Sequence, residues 1–258
     1  MGLKLRPQGK APNGLRAMQT FGYARNLIGS VIPLPPRALF RSRSSIARGT
    51  LRRIQKGTLL YKFKDVPCLK NPFDLALYQK LLWDLKPKTI IEIGSASGGS
   101  ALWFAAQTRS LGFDCQIYSV DINVVRNVHD PMVTFLEGNV YRLQESAVAS
   151  VLESCAHPLL VIEDGPHTYE ACYAALEFFH SRLGDGDYIV VEDGIVRDLG
   201  YRRFKNGPNR AIKDFISENP DTYEVDRSYC DFFGRNATWN TNGYLRRLSS
   251  PGHYQSSR

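Results

Sequence analysis

Five short apolar runs alternate with stretches of helical spacing, and this alternation constrains the chain more than any other feature. The runs predict strand 1 at 89–94 (TIIEIG), strand 2 at 116–121 (QIYSVD), strand 3 at 132–138 (MVTFLEG), strand 4 at 159–164 (LLVIED) and strand 5 at 187–193 (DYIVVED). Between them lie helices predicted at about 98–109, at about 142–153 and over TYEACYAALEFFHSRL. Strands that are apolar on both faces and separated by helices form a parallel, doubly wound α/β sheet. In such a sheet a ligand sits beyond the carboxyl ends of the strands, where the strand order reverses.

The flanks carry their own signals. NPFDLALYQKLLWDLKP reads as a helix with Asn71 as N-cap, Pro72 at its first position and Lys86-Pro87 as its stop. After strand 5, Pro208 opens a helix over NRAIKDFISEN, whose loop frames a substrate mouth or merely connects. TYEVDR and GYLRRL then read as an antiparallel pair. The stretch between them, rich in aromatic residues, Asn and Gly, either lines an acceptor pocket or is a long hairpin loop.

Charge is unevenly spread. The first 64 residues hold fourteen of the 33 Lys and Arg and no acid, so the remainder has 19 bases against 25 acids. The basic balance belongs to the N-terminal segment, which argues against a nucleic-acid-binding body. Residues 1–56 are expected to be a basic arm, disordered or clasping a second copy, with docking on an anionic membrane or acidic partner and a transit peptide as alternatives. Residues 57–250 are expected to be the catalytic domain and 251–258 a tail. No run of eighteen apolar residues predicts a membrane span. Five scattered cysteines without a CxxC pair predict free thiols and a cytoplasmic location, so the sequon at Asn236 is discounted.

Two constellations carry chemistry. In IIEIGSASGGSALWFAAQ the first strand runs into Gly94, Gly98 and Gly99 and then a helix. Glycines there let backbone approach a ligand, and Asp121 at the end of strand 2 can accept both hydroxyls of a ribose. The bland alternative is a tight strand-to-helix turn. The G-x-x-x-G-G spacing departs from the dinucleotide pattern, and Glu92 two residues before the first glycine suits the S-adenosylmethionine-dependent class. The second constellation is EDGPHTYE with YIVVEDG. If strands 4 and 5 are neighbours, Asp164, Glu192 and Asp193 converge above the sheet, and three such carboxylates favour a divalent cation such as Mg²⁺ or Mn²⁺. Such an ion acidifies a hydroxyl, and His167 can take its proton, because imidazole titrates near neutral pH. A helix N-cap or solvated edge at the acids, and a structural histidine, are the plain alternatives. Glu163 is expected to face outward or to sit in a salt bridge.

The strings NPFDLALYQKLLWDLKPKTIIEIGSASGGSALWFA, SVDI, EDGPHTYE, GDYIVVED and GPNRAIKDF, in this order, resemble the cephalosporin hydroxylase / rhamnosyl O-methyltransferase family over roughly 57–248. The resemblance implies a Rossmann-like class I methyltransferase fold with a seven-stranded sheet in the order 3-2-1-4-5-7-6. It implies S-adenosyl-L-methionine held in the Gly94–Gly99 turn, with Asp121 on the ribose, and Mg²⁺ at Asp164, Glu192 and Asp193. Ser97, Ser100 and Ile122 join Glu92 and the glycines as expected cofactor contacts. Ala96 stands where many methyltransferases have Gly. No 2-His-1-carboxylate iron set accompanies the hydroxylase label. The reading is a Mg²⁺-assisted O-methyltransferase acting on a sugar or other natural-product hydroxyl, with Asp164 and His167 at the reacting centre and a homo-oligomer expected. An NAD-type oxidoreductase and a non-catalytic, arm-recruited scaffold are its alternatives.

Overall fold

A computed structural model describes residue 41 and residues 43–249. The expected arm before residue 41 and the tail at 251–258 lie outside the described residues. In chain order the elements are α1 (Arg48–Thr58), β1 (Lys62–Phe63), β2 (Val66–Pro67), α2 (Pro72–Leu85), β3 (Thr89–Ile93), α3 (Gly99–Leu111), β4 (Gln116–Asp121) and β5 (Val133–Glu137). A 3₁₀ segment (Val140–Glu145) leads into α4 (Ala147–Ser154), so the helix expected at 142–153 is split by extended backbone at Ser146. Then follow β6 (Leu159–Glu163), α5 (Tyr169–His180), β7 (Tyr188–Val191), α6 (Val196–Leu199), α7 (Gly207–Glu218), β8 (Tyr223–Val225), α8 (Arg227–Cys230) and β9 (Tyr244–Arg247).

The main sheet has seven strands in the order β5-β4-β3-β6-β7-β9-β8. Strands β3 to β7 run parallel, and β9 inserts antiparallel between β7 and β8. Counting from β3, this is 3-2-1-4-5-7-6, the order the resemblance implies.

Each central strand divides its side chains between two cores. Ile91, Ile93, Val161, Ile189 and Val191 pack against α5 and α7. Ile90, Ile117, Leu160, Ile162 and Val190 pack against α2 and α3. Each such side chain, taken from water, contributes about 1.5–3 kcal/mol, which is why β3 and β6 are buried along their whole length. Glu163 closes β6 and is fully buried, not outward-facing. A central strand covered on both faces has no solvent side, so its Oε1 accepts from Gly165 N at 3.1 Å instead.

Asn71 caps α2 as expected, its side chain accepting from Phe73 N and Asp74 N. A third apolar cluster of Leu51, Ile195, Leu199 and Trp239 seats α1 on the body. α1 thus runs through the boundary at residue 56 that composition alone suggested. All five cysteines are free. Asn236 is fully buried and donates through Nδ2 to Arg41 O at 2.8 Å, which closes the sequon to modification. Among the described residues no helix is long and apolar enough to cross a membrane.

Candidate active site

The carboxyl ends of β3, β4, β6 and β7 open into a cavity of about 610 Å³. On one side it is lined by Gly94, Ala96, Asp121, Ile122 and residues 138–141, on the other by α1, Tyr201, Phe204 and Trp239. Asp164, His167, Glu192 and Asp193 lie at its floor.

The glycine turn is shaped by protein atoms. Gly94 has φ +104°, and a Cβ built on it would lie 2.1 Å from the Asp164 carbonyl oxygen. A Cβ on Gly99 would lie 2.1 Å from Pro67 O. The expected reason for these glycines was approach to a ligand; the nearer reason is approach to neighbouring backbone. Ala96 sits in the left-handed region at φ +44° and donates its N–H to Asp121 Oδ2 at 3.1 Å. Asp121 Oδ1 accepts from Asn123 N at 3.1 Å. Its carboxylate is therefore fixed at the cavity edge by two backbone amides.

Of the residues expected at the cofactor, Gly94, Asp121 and Ile122 line the cavity, whereas Glu92, Ser97, Gly98, Gly99 and Ser100 are not among its lining. Glu92 is fully buried behind the turn, accepting from the Ser119 hydroxyl at 2.6 Å, while its Oε1 has no partner. Burial pushes its carboxyl above the usual range against the pull of Lys70.

At the floor, Asp164, His167 and Asp193 each offer one ligand atom, all within 4.8 Å of one another. His167 Nε2 lies 3.2 Å from Asp193 Oδ2, and Nδ1 is buried without a partner. Both residues adopt φ +56°, a conformation that side-chain-bearing residues hold only where surrounding structure enforces it. Burial raises the Asp193 carboxyl, partly offset by His167.

Glu192 stands apart from that group. Its Oε1 accepts from Lys70 Nζ and from Tyr78 Oη, each at 2.6 Å. Lys70 Nζ also reaches Asp164 Oδ2 at 2.5 Å. Burial works against the lysine charge, but Asp164 and Glu192 outweigh it and hold the ammonium well above the usual lysine range. Burial and the Asp164 charge push the Glu192 carboxyl upward, against the pull of Lys70 and Tyr78. Lys70, Tyr78 and α1 were not legible as site residues. A single lysine in VPCLKN has no spacing that marks it, and the only hint was an excess of acids needing a cation.

The family model for rhamnosyl O-methyltransferase/CmcI matches residues 56–248. The chain belongs to the rhamnosyl O-methyltransferase/CmcI family. A rhamnosyl O-methyltransferase of Mycobacterium leprae (strain TN) is 32% identical over 187 residues, covering 70% of this chain and 81% of its own. One from Mycobacterium tuberculosis (strain ATCC 25618 / H37Rv) is 29% identical over 196 residues, covering 72% and 77%. Among solved structures, CmcI in its Mg-SAM form superposes with a TM-score of 0.60 at 26% identity, covering 74% of this chain and 78% of that one. The CmcI apo-structure, at 24% identity and TM-score 0.61, shares the fold over 91% of this chain and 98% of its own. Membership makes the acid-lined cavity the place to look for methyl transfer.

Proposed function

We propose that this chain transfers a methyl group from S-adenosylmethionine to a hydroxyl of a small-molecule acceptor, with a rhamnosyl-type sugar as the substrate class, assisted by Mg²⁺. The observation that carries this reading is one cavity with Asp121 at its edge and the Asp164–His167–Asp193 group at its floor. The names of the M. leprae relative and of the Mg-SAM form of CmcI point the same way.

The residues present fit both groups. Asp121 offers a fixed carboxylate for a ribose diol at the cavity edge. Asp164 and Asp193 would hold Mg²⁺ through hard oxygens, with Glu192 on the same cavity wall as a third carboxylate. When bound, S-adenosylmethionine supplies an electrophilic sulfonium methyl group and Mg²⁺ supplies a Lewis acid that eases ionisation of the acceptor hydroxyl. The protein's own part is orientation and proton handling. His167 takes the hydroxyl proton, and Asp193, whose Oδ2 lies 3.2 Å from His167 Nε2, stabilises the resulting imidazolium. Trp239, Leu199 and Phe204 give the acceptor side apolar walls that limit water and hold a sugar ring in line.

The test is calorimetric titration with S-adenosylhomocysteine and with Mg²⁺ of the wild type and of Asp193→Asn, beside methyl transfer from labelled S-adenosylmethionine to a rhamnoside. Nucleoside binding by both proteins, with Mg²⁺ binding and turnover in the wild type alone, is expected. Failure to bind S-adenosylhomocysteine sinks the reading, and NADH becomes the next ligand to try.

A further inference from the structure

Lys70 is a cation built into an acidic centre. Its ammonium touches Asp164 Oδ2 at 2.5 Å and Glu192 Oε1 at 2.6 Å, and its side chain is 3% exposed. Both ends of its backbone are fixed. Lys70 N donates to Cys68 O at 2.7 Å, and the next residue, Asn71, is the buried cap of α2. The stem therefore has little room to carry the charge elsewhere. Tyr78 adds a neutral donor to the same Glu192 oxygen at 2.6 Å. Asp164 belongs at once to this pair and to the group whose ligand atoms lie within 4.8 Å of one another.

We propose that Lys70 is a positioning residue that holds Asp164 and Glu192 as a resident counter-cation and thereby weakens, and so sets, the affinity of the centre for a divalent ion. The inference rests on the metal reading above. An entering ion meets an oxygen of Asp164 already engaged and a like charge that cannot withdraw. Both effects lower affinity, and both disappear when the ammonium is removed. Glu192 stays anchored by Tyr78, so it remains available while Lys70 is exchanged. A merely structural lysine predicts the opposite sign, because its loss would let the carboxylates splay and metal binding would weaken.

The experiment is Mn²⁺ binding to the full chain, read from the paramagnetic resonance signal of free Mn²⁺, for wild type, Lys70→Met and Tyr78→Phe. The expected result is Kd lowered about tenfold or more in Lys70→Met, with Tyr78→Phe within about twofold of wild type. Binding by Lys70→Met where wild type binds none supports the proposal equally. An unchanged or raised Kd in Lys70→Met overturns it while leaving the metal reading intact, as does equal tightening in Tyr78→Phe. Absence of Mn²⁺ binding in all three overturns both. Should Lys70→Met not fold, the Nζ resonance of Lys70 in ¹⁵N-labelled wild type decides the matter. It is expected to shift as Mg²⁺ saturates the site, and an unmoved resonance at saturation overturns the proposal.

Discussion

Gly94 and Asp164 meet backbone to backbone: the glycine at the end of β3 leaves room for the Asp164 carbonyl where a Cβ would stand 2.1 Å away. The glycine turn after β3 and the acidic loop after β6 are thus one packed unit. Gly94→Ala is expected to cost about 2–4 kcal/mol, from the strained φ of +104° and from displacement of the backbone just after β6. Urea denaturation measures this, and a variant as stable as wild type would refute the contact.

The two backbone amides that hold Asp121 are exposed, so water can replace its carboxylate and its removal should act chiefly on binding. Asp121→Ala is expected to weaken S-adenosylhomocysteine binding by about ten- to a hundredfold, the worth of a charge-assisted hydrogen bond. Mn²⁺ affinity should stay as it was. Calorimetry reads both, and an unaltered nucleoside affinity would remove Asp121 from the cofactor site.

His167 lies within ligand distance of two carboxylates, which leaves a base and a metal ligand to be told apart. As a base, His167→Gln is expected to lower kcat about a hundredfold or more while Mn²⁺ affinity changes less than about threefold. Collapse of metal binding in this variant would instead make His167 a ligand.

Leu51, on the buried face of α1, is 1% exposed and packs against Ile195, Leu199 and Trp239. Leu51→Ala is expected to cost about 2–4 kcal/mol. Because Gln55, Thr58 and Leu59 of the same segment line the cavity, KM for the acceptor should rise while S-adenosylhomocysteine affinity holds. Loss of neither stability nor acceptor affinity would show α1 to be dispensable.

Asp74 is buried, and burial outweighs hydrogen bonds from Thr238, Asn71 and Trp239 N to push its carboxyl up to about 6. A raised carboxyl favours the folded state while protonated. Its contribution is full below the unfolded value of 3.8 and is lost as pH rises through about 6. Asp74→Asn is therefore expected to flatten the stability profile between about pH 4 and 6, by about 2–3 kcal/mol. Thermal melts across that range decide it, and a profile as steep as that of wild type would exclude Asp74 as its source.

Local signals were read directly from the chain. The apolar strands, the Asn71-Pro72 helix start, the glycine turn and the acids at strand ends each rest on residues within one element, where side-chain period, capping and backbone freedom act over a few positions. They sufficed for the parallel sheet and for where its cavity opens. They did not reveal why Gly94 and Gly99 are glycines, that Glu163 is buried, or that α1 belongs to the body. Those follow from neighbours brought together by the sheet, as Pro67 is to Gly99 and Trp239 to Leu51.

Lys70 shows the difference most clearly. Its partners lie 94 and 122 residues further along the chain. By itself the sequence determined that carboxylates gather at the ends of β6 and β7. Only the tertiary structure decided that a lysine from before α2 would sit on two of them, because charge pairing is a matter of distance in space and leaves no period in the chain.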